Sequence, residues 1–239
     1  MLRENQRTAP IVWERPDGSV VESGGDGGKE STRRKFPQVT ADLSRRYCSA
    51  YLKIDVGARI LTNDARFRDG KTLVITGERA EESASRARYR SFEPHRTDRR
   101  SGKQVQRWVD HWRPVHAWSE AQVWEILKAY RVNPHPAYWL GWGRTSCMKC
   151  IFGSANQWAS IRLIDPLGFE RIAQYEEEFG YTIHRTLSVR QLADRGVPYT
   201  MDPSMVALAM ARDYPESLIR VADEWRYPAG AFGESNGPS

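Results

Sequence analysis

Cysteine is scarce in this chain: Cys48, Cys147 and Cys150 are the only three among 239 residues, with five histidines beside them. In a reducing compartment so few thiols would not persist as disulfides, so a reduced thiolate site is the natural reading. Also missing is any run of about 18 apolar residues, which excludes a membrane-spanning helix by pattern. The start, Met1-Leu2-Arg3-Glu4-Asn5, has no apolar signal core. A soluble, cytoplasmic protein without membrane partners is expected. A phosphate-binding P-loop is lacking too. In Ser23-Gly24-Gly25-Asp26-Gly27-Gly28-Lys29-Glu30, a serine occupies the first glycine position and Glu30 follows the lysine.

What is present supports a folded protein. Apolar residues make up 40% of the chain and include nine tryptophans, enough for a core. The formal charge is +6 and the pI near 9.3. The positive charge is uneven. Arg86 to Arg107 holds eight lysines and arginines against Glu93 and Asp98. Such a patch suits a polyanion, a phosphorylated nucleotide or nucleic acid, although a solvated basic loop has the same composition.

The chain reads as four stretches. Residues 1–40 lack sustained periodicity and contain a Gly-rich loop between Gly18 and Gly28. Residues 41–160 form an α/β region, 161–228 a helical one, and 229–239 a flexible tail. From Ala41 to about Leu61, Leu43, Tyr51, Leu52, Val56 and Ile60 give a helical pattern. Thr72-Leu73-Val74-Ile75-Thr76, ending at Gly77, predicts a central parallel strand buried on both faces that turns directly into a helix from Ala80. Ser119-Glu120 caps a helix striped by Val123, Ile126, Leu127 and Tyr130. Asp165-Pro166 opens another that Gly180 closes, and Ser188 to Gly196 holds a shorter one.

Two of the three thiols sit in one C-x-x-C, Cys147-Met148-Lys149-Cys150, a spacing that serves metal binding or redox chemistry. A stiff approach, Asn133-Pro134-His135-Pro136-Ala137-Tyr138-Trp139-Leu140-Gly141-Trp142, precedes the pair, and Gly153-Ser154 follows it. The motif therefore lies in a loop. Cys48 stands beside Arg45-Arg46, which favour its thiolate. Three thiolates are one short of a closed structural site. Either His135 or His184 completes the set, or one metal position stays open. The other reading is a buried Cys48 acting as a small hydrophobe beside an unmetallated pair. His111 and His116, set among Trp112, Pro114 and Trp118, read as core or rim residues.

Three stretches in order carry a resemblance: Arg46-Tyr47-Cys48 with Leu52-Lys53; Gly77-Glu78-Arg79-Ala80-Glu81-Glu82-Ser83 with Arg86; and Trp118-Ser119-Glu120 with Val123-Trp124, running through Asn133, Pro134, Tyr138 and Gly141 to Cys147 and Cys150. Together they resemble the phosphoadenosine phosphosulfate (PAPS) reductase family of the adenine nucleotide alpha-hydrolase (PP-loop) superfamily. The likeness spans about residues 41 to 153 and is nearest to the iron–sulfur, DNA-phosphorothioation-like and phage-borne branches. It implies an α/β fold, a partial Rossmann-like parallel sheet with a mostly helical C-terminal part. Gly77, Arg79, Ser83 and Arg86 would bind the phosphate or sulfate of ATP or an adenylyl sulfate. The simpler role for Arg79 is a surface pair with Glu81 or Glu82.

The resemblance further implies that Cys48, Cys147 and Cys150 hold a metal, a 4Fe–4S cluster with three cysteine ligands or, alternatively, zinc. The activity implied is that of a reductase-like oxidoreductase or a sulfurtransferase, with nucleic acid among the acceptors and a homo-oligomer compatible. Two family features are absent: the upstream Ser-Gly-Gly-x-Asp-Ser loop and the C-terminal Glu-Cys-Gly. The chain is therefore expected to be the C-terminal portion of a longer enzyme, inactive alone, with no catalytic base that can be named. The alternative from another class is a non-catalytic, metal-stapled basic module that binds nucleic acid.

Overall fold

A computed structural model describes residues 10–23, 35–40, 42–211, 213–221 and 224–233. The glycines of 24–28 lie outside these residues. The chain divides into two compact units, one of Met1–Ala80 with Ala84–Ala117, the other of Glu81–Ser83 with Trp118–Ser239.

The first unit opens with structure where irregular chain was expected. Strands β1 (Ile11–Glu14) and β2 (Val20–Ser23) pair antiparallel, with Glu14 opposite Val20. The turn between them explains why. Pro16 presets its own φ, the Asp17 carboxylate accepts from the Ser19 backbone N–H at 2.9 Å, and Gly18 takes a φ of 81°. Strands of four residues are too short to show a period, so only the turn announces them.

Asp64 anchors this hairpin. It is fully buried and accepts from Trp13 Nε1 at 2.8 Å, Arg15 Nε at 3.0 Å and Arg66 Nη2 at 2.9 Å. The arginine hydrogen bonds, Arg66 first and Arg15 second, hold its carboxyl far below the usual range against the opposing effect of burial. The stability this confers is present above the ordinary carboxylate pKa and fades only in strong acid.

The expected helix begins at Tyr47, and Ala41 lies outside the described residues. It runs as α1 (Tyr47–Ser49), a π-helical turn (Ala50–Ile54) and α2 (Asp55–Asn63), none of whose residues is fully buried. The π turn inserts a residue and rotates the apolar stripe partway along.

Strand β3 (Lys71–Ile75) pairs parallel with β5 (Trp108–Trp112), which pairs antiparallel with β4 (Phe92–Pro94), in the order β3-β5-β4. The class is thus mixed α/β with a partial Rossmann-like sheet, as expected, but the placement of β3 differs. It lies at the edge of the described sheet, and Leu73 and Ile75 are exposed. Its continuous apolar run comes from a strand covered on one side only, by a layer that buries Val109 completely. Nor does Gly77 turn straight into a helix. Residues 76–79 are irregular, and a 3-10 turn (Ala80–Glu82) precedes the four-residue α3 (Ala84–Ala87).

The second unit is helical. It comprises α4 (Glu120–Ala129), α5 (Pro136–Trp139), α6 (Ala155–Ile164), α7 (Pro166–Phe179), α8 (Val189–Asp194) and α9 (Pro203–Met210). Ser119, Ser154 and Ser188 each close a capping box with the glutamine three residues on. Asp165 caps α7, Pro166 opens it, and left-handed Gly180 ends it, as the sequence indicates. Trp158, Ile161, Phe169, Val189 and Ala193 form the core where α6, α7 and α8 meet. Glu176 is buried there too, accepting from the backbone N–H groups of Ile183 and Val189.

Part of the segment expected as a tail is held. The Gly230 N–H donates to the Tyr138 carbonyl at 2.7 Å, and Phe232 packs on Trp124 and Tyr227. Residues 234–239 lie outside the described set. Among the described residues no helix is long and apolar enough to cross a membrane.

The two tryptophan-sized and leucine-sized extremes of this unit give a direct stability test. Trp158→Ala should cost about 3–5 kcal/mol in urea unfolding. Leu167→Ala, at a side chain 85% exposed, should stay within about 0.5 kcal/mol.

Candidate functional site

The carboxyl end of β3 carries a polar network that the sequence reading missed. Arg113, just past β5, is buried. Its Nε donates to Glu78 Oε2 at 2.6 Å, and its Nη1 to Glu93 Oε1 at 2.7 Å and to the Arg90 carbonyl at 2.8 Å. Nη2 lies 3.1 Å from His111 Nδ1. A guanidinium can only donate, so His111 Nδ1 accepts and its proton sits on Nε2. That Nε2–H faces Thr76 Oγ1 at 2.8 Å, and the Thr76 hydroxyl is 3.2 Å from Glu78 Oε2. A closed circuit results: Arg113 to His111, to Thr76, to Glu78 and back to Arg113.

The charges follow from this circuit. Burial opposes ionisation of Glu78, yet the hydrogen bond and charge of Arg113 prevail and its pKa is lowered. Burial first, then the charge of Arg113, lowers the pKa of His111. Burial also leads the lowering of His95, whose ring meets that of His111 edge-on with centroids 5.4 Å apart. His111 is accordingly a structural participant at the strand end, more than a rim residue.

Of the residues expected to hold an anion, Gly77 and Arg79 flank Glu78 of this network in sequence. Gly77 and Arg79 follow the strand, and Arg86 is on α3. The Ala80 N–H donates to the His116 carbonyl at 2.8 Å, and His116 Nε2 reaches the Arg86 carbonyl at 2.9 Å, so both sides of the turn are pinned to one loop. Ser83 falls in the second compact unit. Two parts of the expectation change. The four-residue α3 is too short for an appreciable helix dipole, so an anion here would rest on the arginines. Gly77 has neither a positive φ nor a close neighbour, so it is not demanded by the backbone turn. What its missing side chain does leave is an open approach to the strand end.

The C-x-x-C lies in a loop of the second unit, as expected, between α5 and α6. Ser154 starts α6 just after it, and the Gly153 N–H donates to the Cys150 carbonyl at 2.9 Å. Lys149 is drawn to Asp165, the cap of α7, and holds that carboxyl below its usual range. Cys147 is exposed, while Cys150 is half-buried, with Ser146 Oγ 3.8 Å from its sulfur. Cys147 also lines a cavity of about 130 Å³ with His135, Leu140, Arg144 and Met148. His135 Nδ1 accepts from the Ala137 N–H, which leaves Nε2 as its remaining nitrogen. His184 belongs to another loop, where its Nδ1 accepts from the Thr186 N–H.

Cys48 is half-buried in α1 of the first unit. Two thiols at this spacing fit a soft metal in kind. A complete set is not gathered: among the described residues no three His, Cys, Asp or Glu side chains are placed to hold a metal ion.

A parallel strand followed by Gly77 and an arginine-bearing segment, with a C-x-x-C loop further along, belongs to a mixed α/β protein. The sequence matches the phosphoadenosine phosphosulfate reductase domain over residues 28–152, more than half of its length, and the chain belongs to that family. It is also 29% identical over 142 residues to an uncharacterized 37.8 kDa protein in the gpa 5' region of Escherichia phage 186. That alignment covers 59% of this chain and 39% of the phage protein. No solved structure matches the present chain. The family points to a sulfonucleotide-related role.

The network sets a pH dependence. His111 and His95 are held below their ordinary value of 6.5, so as pH falls through that value the unfolded chain takes up protons before the folded one. Stability should therefore drop from about pH 6.5 toward 5, and His111→Gln should flatten the decline. Thermal unfolding midpoints measured across this range check it; an unchanged slope in the variant would contradict the assignment.

Proposed function

We propose that this protein binds an adenine nucleotide, ATP or an adenylyl sulfate, and acts in sulfur transfer or sulfonucleotide reduction. The observation that carries the reading is that Gly77 and Arg79 directly follow a parallel strand, at the end where α/β proteins take their ligands, and that they lie with Ser83 and Arg86 in the stretch of sequence matched by the family. Arg79 and Arg86 supply charged donors to phosphate or sulfate oxygens. Gly77 keeps the approach open, and Ser83 adds a hydroxyl.

Cys48, Cys147 and Cys150 would hold an iron–sulfur cluster, the thiolates being the chain's soft ligands. Held by three cysteines, such a cluster would keep one iron available to bind sulfur. Support comes from the family and from the C-x-x-C being an accessible loop with Cys147 exposed. Zinc is the alternative occupant, and a cytoplasmic location follows from the reduced thiols this chemistry needs.

Two measurements test the reading. Arg79→Ala should weaken adenylyl sulfate binding by about 1.5–3 kcal/mol in calorimetry, the range for a hydrogen bond to a charged group. Gly77→Ala should leave thermal stability unchanged or slightly raised while weakening binding. Equal affinity in wild type and Arg79→Ala would remove the anion role. Separately, anaerobic purification should give a brown protein whose broad visible absorbance is lost in Cys48→Ser and in Cys147→Ser alike. Retention of colour in Cys48→Ser would end the three-cysteine reading, and a colourless protein with one zinc would replace the cluster.

A further inference from the structure

The sheet has one covered face and one open face. Residues alternate across a strand, so Val109, completely buried, marks the covered side. Ile75, Trp112 and Phe92 are on the other. They are 59%, 41% and 55% exposed, and the register sets them in one row, with Ile75 opposite Trp112 and Trp112 opposite Phe92. Leu73, 48% exposed, lies in the next row opposite Asp110, whose carboxylate is paired with Arg100, and Trp108 opposite Lys71 in the one beyond. Lys71 and Arg100 both stand over the Trp108 ring, at 4.7 and 4.3 Å from its centroid. Trp112 and Phe92 have no such cover: among the described residues neither ring meets another ring or a cation.

The charge on the segments that flank β4 says what kind of partner the face fits. Arg88 and Arg90 are exposed in the segment that leads into Phe92, and neither side chain pairs with a carboxylate among the described residues. Lys103 is likewise exposed on the loop between β4 and β5. An apolar protein partner would have to bury these cations without compensation, which costs more than the exposed apolar side chains return. A ligand with flat apolar groups joined by anions meets both features at once, since bases stack on aromatic rings while phosphates pair with arginine and lysine.

We infer that the open face of the β3-β5-β4 sheet, with Trp112 and Phe92 as stacking platforms and Arg88, Arg90 and Lys103 as phosphate partners, binds single-stranded nucleic acid. The inference uses none of the residues assigned to the nucleotide or the metal. Binding of the full chain to a fluorescein-labelled oligothymidylate of about 20 nucleotides, followed by anisotropy, tests it. Saturable binding is expected, much weaker at about 200 mM salt than at about 50 mM. A duplex of equal length should bind less well, because its bases are already stacked. Trp112→Ala and Phe92→Ala should each lower affinity roughly tenfold with an unchanged circular dichroism spectrum. The Arg88→Ala/Arg90→Ala double variant should lower the salt slope. If Trp112→Ala misfolds, Phe92→Ser, at a more exposed site, gives the same readout. The idea is overturned if no oligonucleotide binds, or if binding is indifferent to both aromatic and both arginine changes. It is also overturned if Trp112→Ala instead abolishes a concentration-dependent dimer, seen by sedimentation, in a chain that binds no oligonucleotide.

Discussion

A buried guanidinium holds the first unit's sheet in its present form. Arg113 cannot shed its proton, so burial obliges the fold to surround it with acceptors. Those acceptors come from four places: Glu78 after β3, Glu93 in β4, the Arg90 carbonyl before β4, and His111 in β5. One side chain thus ties all three strands at the end where β3 delivers Gly77 and Arg79. A shift of any strand by one residue would strand a charge in the interior, so the register and the position of the turn are set together.

The same obligation accounts for the hairpin. Asp64 is a fully buried carboxylate, and two arginines with one indole N–H satisfy it. Because Trp13 and Arg15 lie on and beside β1 while Arg66 follows α2, the four short residues of β1 are held by a partner about fifty positions away. An isolated two-stranded hairpin is marginal in water. Here the buried ion pair gives it a fixed place, and the proline–aspartate–glycine turn gives it a register.

Function and framework divide along these lines. The residues proposed for ligand and metal are short, local and partly exposed: Arg79 and Arg86 around a four-residue helix, Cys147 in a loop beside a small cavity. The residues that are buried and multiply bonded, Arg113, Asp64 and Glu176, are structural. The π-helical turn that follows Cys48 is one point where the two meet, since it rotates that thiol relative to the rest of the helix. Membership of the phosphoadenosine phosphosulfate reductase family accounts for the order of these pieces.

Much of the second unit was legible from the chain alone. Ser119, Asp165 and Ser188 cap helices, Pro166 opens one and Gly180 closes it, because a helix end is satisfied by groups within about four residues of it; the helix that Ser154 caps was not anticipated. The family motifs were legible for a similar reason: their spacing is local even where their ligand is not. The edge position of β3, the three-residue β4 with its proline, and the burial of Arg113 were not. Thr72 to Thr76 reads as an apolar run wherever it is placed, and only its neighbours decide which face is covered. Arg113 reads as one more cation in a basic stretch, and only three strands brought together make it the centre of a network. Sequence by itself determined the helix ends and the motif order through short-range hydrogen bonding; the tertiary structure alone decided which charges are buried and which aromatic face stays open, because both depend on contacts between residues far apart in the chain.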